Sequence, residues 1–162
     1  MGGCGIMAGL TEFLLPCVYA FLASMGFCVL FNIHTGVLIC CTGGALGWFV
    51  YLLMGILTPN DLIQSFVAAI FIAAYSEIMA RIRKCPVTGY LLVAFFPLVP
   101  GGGIYYSMEY AIAGETQLFL STGSHTLGLA GTLAMGVLLV STLVRMINTV
   151  RAHRARLAVS RG

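Results

Sequence analysis

The sequence predicts an all-α integral membrane protein of five transmembrane helices, the fourth of which is broken at a Pro-Gly-Gly-Gly segment. The first observation is composition: 60% of the 162 residues are hydrophobic and 8% are charged. A water-soluble domain of this size carries much more charge on its surface. The second observation is that the apolar residues form long uninterrupted segments, and the third is that the basic residues fall in two places.

Five apolar segments are long enough to cross the hydrocarbon core of a bilayer, which takes about 20 residues. In chain order they cover residues 10–31, 37–57, 62–80, 87–112 and 127–148. Between the second and third, Pro59 ends one helix and Asp61 can cap the next. We therefore interpret residues 1–162 as a single transmembrane domain.

The basic residues predict the orientation of these spans. All eight Lys and Arg residues lie either at Arg81, Arg83 and Lys84 or from residue 145 to the C-terminus. Two spans separate these groups, so both lie on the same side, and positive residues favour the cytoplasmic side. This predicts an N-terminus outside and a C-terminus in the cytoplasm, with the loops at residues 58–61 and 114–124 outside.

The fourth span contains the break, formed by Pro97, Pro100 and the glycines that follow. Proline and glycine are the poorest helix formers, and unpaired backbone groups are costly in lipid. Broken spans therefore occur inside protein or along a cavity, and secondary transporters use them to bind substrates. The alternative interpretation is a structural kink without a ligand.

We expect backbone N–H groups at the break to bind a substrate carboxylate, because a helix N-terminus offers free donors and partial positive charge. The polar and aromatic residues just after the break are further candidates for this site. Two tyrosines and a glutamate there either line the site or mark the membrane interface. The candidate substrate-binding residues are Pro100, Gly101, Gly102, Gly103, Tyr105, Tyr106 and Glu109.

A second group of polar residues lies at the cytoplasmic end of the third span. Ionisable residues within spans are functional candidates by default, so Glu77, Arg81 and Lys84 are candidates for gating or proton coupling. The alternative is that Glu77 simply forms an ion pair with Arg81 or Arg145 near the interface.

Enzyme motifs are absent from the sequence. The Pro-Gly-Gly-Gly segment lacks the Lys-Ser/Thr of a P-loop, and no Gly-x-Ser-x-Gly elbow or metal-ligand spacing occurs. We therefore predict no catalytic residue, no metal, no cofactor and no enzymatic activity. The arginine-rich C-terminus suits anionic membrane lipids, and its shortness and closeness to the bilayer disfavour nucleic-acid binding.

Three stretches of the chain resemble a known family. They are residues 26–32 with Gly44-Ala45-Leu46-Gly47-Trp48, residues 74–86, and residues 97–108. Together they are similar to the threonine/serine exporter family, specifically its small YjjB-like membrane subunit, which corresponds to the C-terminal half of ThrE-like proteins.

The resemblance implies export of small polar metabolites across the bacterial inner membrane. The substrates implied are threonine and serine for fused relatives and dicarboxylates such as succinate for the split form. It also implies a larger partner subunit with five spans of its own. Five spans in each unit allow an inverted repeat. Two alternatives remain: a homo-oligomer, and an accessory subunit that supports a partner carrying the substrate site.

Overall fold

The computed structural model describes the backbone of residues 3–33 and 36–159 and the side chains of residues 14–33, 36–151 and 153. Within these ranges the structure is entirely helical, with six α-helices, one 3₁₀ turn and no strand. The elements are α1 (Gly3–Leu30), α2 (Val37–Leu57), α3 (Asp61–Arg83), α4 (Val87–Phe95), the 3₁₀ turn (Phe96–Leu98), α5 (Gly101–Ala113) and α6 (Thr116–Val159).

Three of the described helices are long and apolar enough to cross a membrane: α2, α3 and the Thr116–Arg151 part of α6. A fourth crossing is available if Val87–Leu98 and Gly101–Ala113, which meet at an angle of 54°, act as one span. In α1, Leu14–Leu30 is apolar but shorter, and the side chains of residues 10–13 of the first predicted span lie outside the described set. The count of five spans stays a prediction.

The turns around α3 follow from local chemistry. Asn60 caps α3, because its side chain accepts a hydrogen bond from the Leu62 N–H at 3.0 Å. The expectation that Asp61 is the cap is wrong by one residue: Asp61 is the first helical residue, where a carboxylate favours the helix dipole. At the other end, Lys84 adopts a left-handed conformation with φ of 54° and ends the helix.

Helix α2 packs against α1, α3 and α4 through glycines on its surface. Gly43 lies between Tyr75 of α3 and Ala94 of α4, where an added β-carbon would be 2.8 Å and 3.1 Å from their atoms. Gly47 lies against Ile72 of α3 in the same way. The Gly43-x-x-x-Gly47 pair therefore serves helix packing within this chain.

Helix α6 runs parallel to α3 over the full length of α3. Three contacts keep a nearly constant register: Leu62 with Gly128, Ala69 with Gly136 and Arg81 with Asn148. Since numbering rises in the same direction in both helices, their starts lie at one end of the bundle and the basic residues near Arg81 and Arg145 at the other. The register also aligns α3 with the fifth predicted span.

Two sequence expectations are corrected by the structure. Residues 116–124 are not a loop but the first turns of α6, and only Gly114 and Glu115 separate α5 from α6. The polar residues there lower the mean hydropathy, so the segment was not recognised as part of a membrane-spanning helix. Polar residues can nevertheless form a helix. The helix interruption also precedes the three glycines: Val99 is extended, Pro100 caps α5, and Gly101–Gly103 form its first turn. First-turn N–H groups need no intrahelical partner, so glycine is tolerated there.

Candidate functional site

The interruption between α4 and α5 starts at Pro97, which has no N–H to continue the helical ladder. The chain then tightens into a 3₁₀ turn, in which the Val99 N–H donates to the Phe96 carbonyl at 3.2 Å. Beyond it, the Gly101 N–H donates to the Val99 carbonyl at 2.7 Å, and the Ile104 N–H to the Pro100 carbonyl at 3.2 Å.

These bonds leave open backbone groups on both sides of the break. Among residues 97–104, no hydrogen bond across the break uses the N–H of Gly102 or Gly103, or the carbonyl of Pro97 or Leu98. The N–H groups belong to a helix N-terminus, where donors are free and the dipole is positive. The break therefore presents donors suited to a carboxylate, and carbonyl acceptors suited to an ammonium group, within a few residues.

The depth of the break is given by its neighbours on α2. Pro97 lies against Gly44 and Leu98 against Gly47, where added β-carbons would be 3.5 Å and 3.8 Å from their side chains. Gly47 is near the middle of α2, which spans Val37–Leu57. The interruption is thus at mid-height of the helices around it.

The glycines after the break differ in their surroundings. An added β-carbon at Gly101 or Gly102 would meet no atom within 4 Å, whereas one at Gly103 would collide with Thr126 of α6. Gly103 therefore allows α5 to pack closely on α6. Gly101 and Gly102 are open to an approaching group.

The remaining substrate-binding candidates lie along the exposed side of α5. Tyr105 and Glu109 line a depression of about 370 Å³ with Met108, Ile112 and Ala113. Tyr106 is not part of its wall, although its ring packs edge-on against that of Tyr105, with the two ring centroids 5.5 Å apart.

The candidate residues extend over about two turns of α5. Gly102 and Glu109 are seven residues apart on one helix, about 10 Å along its axis, and side chains in a helix lean toward its N-terminus. Whether one ligand contacts both residues stays a prediction.

The candidate gating residues lie at the basic end of α3. Arg81 is exposed and donates a hydrogen bond to Asn148 of α6 at 3.1 Å, and Lys84 is exposed in the turn before α4. Glu77 is half-buried, and within the described side chains it forms no ion pair with Arg81 or Arg145. Both interpretations of Glu77, as an ion-pair partner and as a gating or proton-coupling residue, stay predictions.

The sequence reasoning missed four polar atoms inside the bundle. Each is buried without a hydrogen-bond partner among the described side chains: Ser24 Oγ, Trp48 Nε1, Ser76 Oγ and Tyr90 Oη. These residues are uncharged, so the mean hydropathy of a span does not distinguish them from the apolar residues around them. The sequence did contain one indication, namely hydroxyl side chains inside apolar spans. Such groups ordinarily form hydrogen bonds with a neighbouring helix or with carbonyls of their own helix.

An apolar groove of about 690 Å³ lies between α4 and α6, with Leu91, Phe95, Leu133 and Val137 in its wall. Its wall offers little to a polar solute and suits a hydrocarbon chain. Among the side chains described, no group of three or more His, Cys, Asp or Glu residues could hold a metal ion.

Apolar helices of membrane-spanning length, packed through glycines around an interrupted helix, define the class: an all-helical membrane protein. The sequence model of the threonine/serine exporter family, ThrE, matches residues 16–143 of the chain. The chain belongs to this family of exporters, which confirms the resemblance, and its role is transport of the threonine/serine exporter type. No curated protein and no solved structure matches the chain.

Proposed function

We propose that this chain is a subunit of a secondary transporter that exports small polar metabolites across the bacterial inner membrane. The substrates are threonine and serine, or dicarboxylates such as succinate. The observation that carries the proposal is the interrupted helix at mid-height of the bundle, in a chain of the exporter family. All of these solutes present a carboxylate, which the free N–H groups of a helix N-terminus recognise.

The topology we propose has five spans, with the N-terminus outside and the C-terminus in the cytoplasm. The parallel register of α3 and α6 supports it, because α4 and α5 must then carry the chain back across the membrane once. The hydrogen bond between Arg81 and Asn148 brings the two basic regions to one end, in accordance with the positive-inside rule.

The substrate carboxylate binds at the first turn of α5, next to Pro100, Gly101, Gly102 and Gly103. The open space around Gly101 and Gly102 lets a ligand reach the backbone. Tyr105, Tyr106 and Glu109 lie further along α5 and contact the solute at a later point of its outward route.

At the cytoplasmic end, Glu77, Arg81 and Lys84 act as the gate or the proton-coupling group. The half-buried position of Glu77 and its lack of an ion-pair partner among the described residues support this role, since such a carboxylate is free to exchange a proton or to change partner.

The transporter is completed by a second five-span subunit of opposite topology, or by a second copy of this chain. The open, shallow setting of the α5 site supports this arrangement, because Gly101 and Gly102 are exposed and have no wall facing them. A membrane subunit in this arrangement also contacts lipid. The accessory alternative, in which the partner carries the whole substrate site, is favoured by the same observation.

The substitution Gly102→Leu tests the α5 site. An added β-carbon at Gly102 meets no atom within 4 Å, so we expect folding to be retained, while the rest of the leucine side chain covers the free N–H groups. Losing hydrogen bonds to a carboxylate costs about 1.5–3 kcal/mol, so efflux should fall about tenfold or more. The assay measures efflux of threonine, serine and succinate from cells lacking endogenous exporters.

The matched control is Gly131→Leu in α6, where an added β-carbon also meets nothing within 4 Å. Normal efflux in the control and wild-type efflux in Gly102→Leu would together rule out the α5 site. Efflux from cells that express this chain alone and with a larger family subunit separates the proposal from the accessory alternative.

A further inference from the structure

The four unpaired polar atoms inside the bundle come from four different helices: Ser24 from α1, Trp48 from α2, Ser76 from α3 and Tyr90 from α4. Ser24 and Ser76 are completely buried and Tyr90 is 3% exposed. A buried polar group without a partner is costly in protein and more so in a bilayer. Four such groups in one small bundle therefore require an explanation other than packing.

Three of them follow α2 from its start to its middle, and the fourth, Ser76, comes directly after Tyr75 of α3, whose ring lies against Gly43 of α2. Tyr90 Oη lies at Gly36, just before α2, where an added β-carbon would be 2.9 Å away. Ser24 lies directly against Gly44. Trp48 is four residues further along α2. From Gly36 to Trp48 the helix rises about 18 Å, roughly half of a bilayer's hydrocarbon core.

Each end of this row opens on a cavity. Tyr90 lines a cavity of about 320 Å³ at the α3–α4 turn, together with Asn32 and Cys85. Trp48 lines a second cavity of about 300 Å³, and its opposite wall includes Pro97 of the break and Tyr19 of α1. The row thus connects the end of the bundle that carries Arg81 and Lys84 with the interrupted helix.

We propose that Tyr90, Ser76, Ser24 and Trp48 line the inner half of the substrate's route, between the cytoplasmic cavity and the break. This inference rests on the proposed function and assigns it a path through the interior of α1–α4. The hydroxyls can donate and accept hydrogen bonds, and the indole N–H can donate. They suit the carboxylate, hydroxyl and ammonium groups of a small polar solute.

The packing of α1 allows such a path to open. Helix α1 packs mainly on α2 and touches α4 and the 3₁₀ turn only lightly. The two hydroxyls are covered, that of Tyr90 by the turn at Gly36 and that of Ser24 by α2. Opening the path requires α1 to move away from α2, at Ser24 and Gly44, as well as from α4, while the α2–α3 contact can stay in place.

The test uses Ser24→Ala and Tyr90→Phe, each of which removes one buried oxygen. The Ser24 oxygen has no hydrogen-bond partner among the described residues, so the melting temperature of Ser24→Ala should stay unchanged or rise. The Tyr90 oxygen interacts with the Cys85 thiol, so Tyr90→Phe should lower the melting temperature only slightly. Efflux should fall about tenfold, as expected for loss of a hydrogen bond to a charged solute. Efflux and melting of the purified protein in detergent are measured on the same variants.

The control is Thr132→Ala in α6, whose Oγ1 donates to the Leu129 carbonyl at 2.8 Å and lies outside the row. It should leave efflux unchanged. Wild-type efflux in both Ser24→Ala and Tyr90→Phe overturns the path, and so does loss of folding in either, since it would reveal a structural role for the oxygen. If Gly102→Leu still blocks efflux in that case, the proposed function stands without this path.

Discussion

The α1–α4 bundle and the hairpin formed by α5 and the first turns of α6 both expose apolar side chains on the outside, such as Val29 and Ile56 of the bundle, but among the described residues the bundle also encloses an apolar core. In the bundle, Ala68, Ile72 and Val93 are completely buried. In the hairpin, Ile112 is 89% exposed and Tyr105 is 66% exposed. Helix α5 packs on α6, with Gly103 against Thr126, and has no comparable contact with another described helix.

The two regions also differ in their polar groups. In the hairpin the hydroxyls of Ser107, Ser121 and Thr126 donate to carbonyls of their own helices, at 2.8, 3.1 and 2.7 Å. In the bundle, Thr42, Gln64 and Tyr75 are also hydrogen-bonded. Ser24 and Ser76, however, have no hydrogen-bond partner among the described residues. The bundle therefore buries an apolar core together with a few polar groups that have no hydrogen-bond partner among the described residues, which suits transport. The hairpin satisfies its polar groups and leaves apolar surface open, which suits contact with another subunit.

The largest effect that we expect comes from filling a contact inside the bundle. Gly47→Leu places atoms where Ile72 already lies, so the bundle must shift. Overpacking of this kind costs about 1–3 kcal/mol or more, and the variant should melt much earlier than Gly131→Leu. Equal melting temperatures for the two variants would mean that the bundle is not closely packed and would remove the contrast with the hairpin.

A polar substitution at the hairpin should leave the isolated chain intact. Ile112→Ser removes the most exposed large apolar side chain of the hairpin, which touches little within this chain. We expect normal insertion and melting but reduced co-purification with a larger family subunit. Leu127→Ser in α6, where Leu127 is similarly exposed, is the control for lipid contact. An equal loss of co-purification in both variants would show that the hairpin is not a specific docking surface.

A smaller effect is expected at the basic end of the bundle. Glu77→Gln keeps the size of the side chain but removes its charge, and efflux should fall several-fold if Glu77 gates or couples transport. Asn148→Ala removes the hydrogen bond to exposed Arg81 and should cost no more than about 1 kcal/mol with normal efflux. Equal efflux in Glu77→Gln and the wild type contradicts a role for this carboxylate.

Hydropathy and turn chemistry predicted much of this fold. The second predicted span coincides with α2, and the fourth begins where α4 begins, because proline and apolar length specify those ends. The first eleven residues of α6 were missed because they are polar or mixed, although they are helical. The side-chain environment of Ser24 and Tyr90 was also beyond sequence reasoning, since an unpaired hydroxyl depends on how distant helices pack.

The break shows what the proline and glycine content of the sequence could predict and what it could not. Proline and glycine content located the interruption to within a few residues. It did not show that the glycines are helical, or that Gly103 serves contact with Thr126 while Gly102 remains open. That distinction depends on the neighbouring helix, which no local pattern specifies.

The parallel pairing of α3 with α6 also has a consequence for assembly. The residues joined by the Arg81–Asn148 bond are 67 positions apart, whereas α1, α2 and α3 pair with their neighbours in sequence. Closing so long a loop costs more entropy than closing the short turns between neighbours. Helices α1 to α4 can therefore associate during synthesis while α6 is still emerging. The last helix then closes a bundle whose polar interior has already formed.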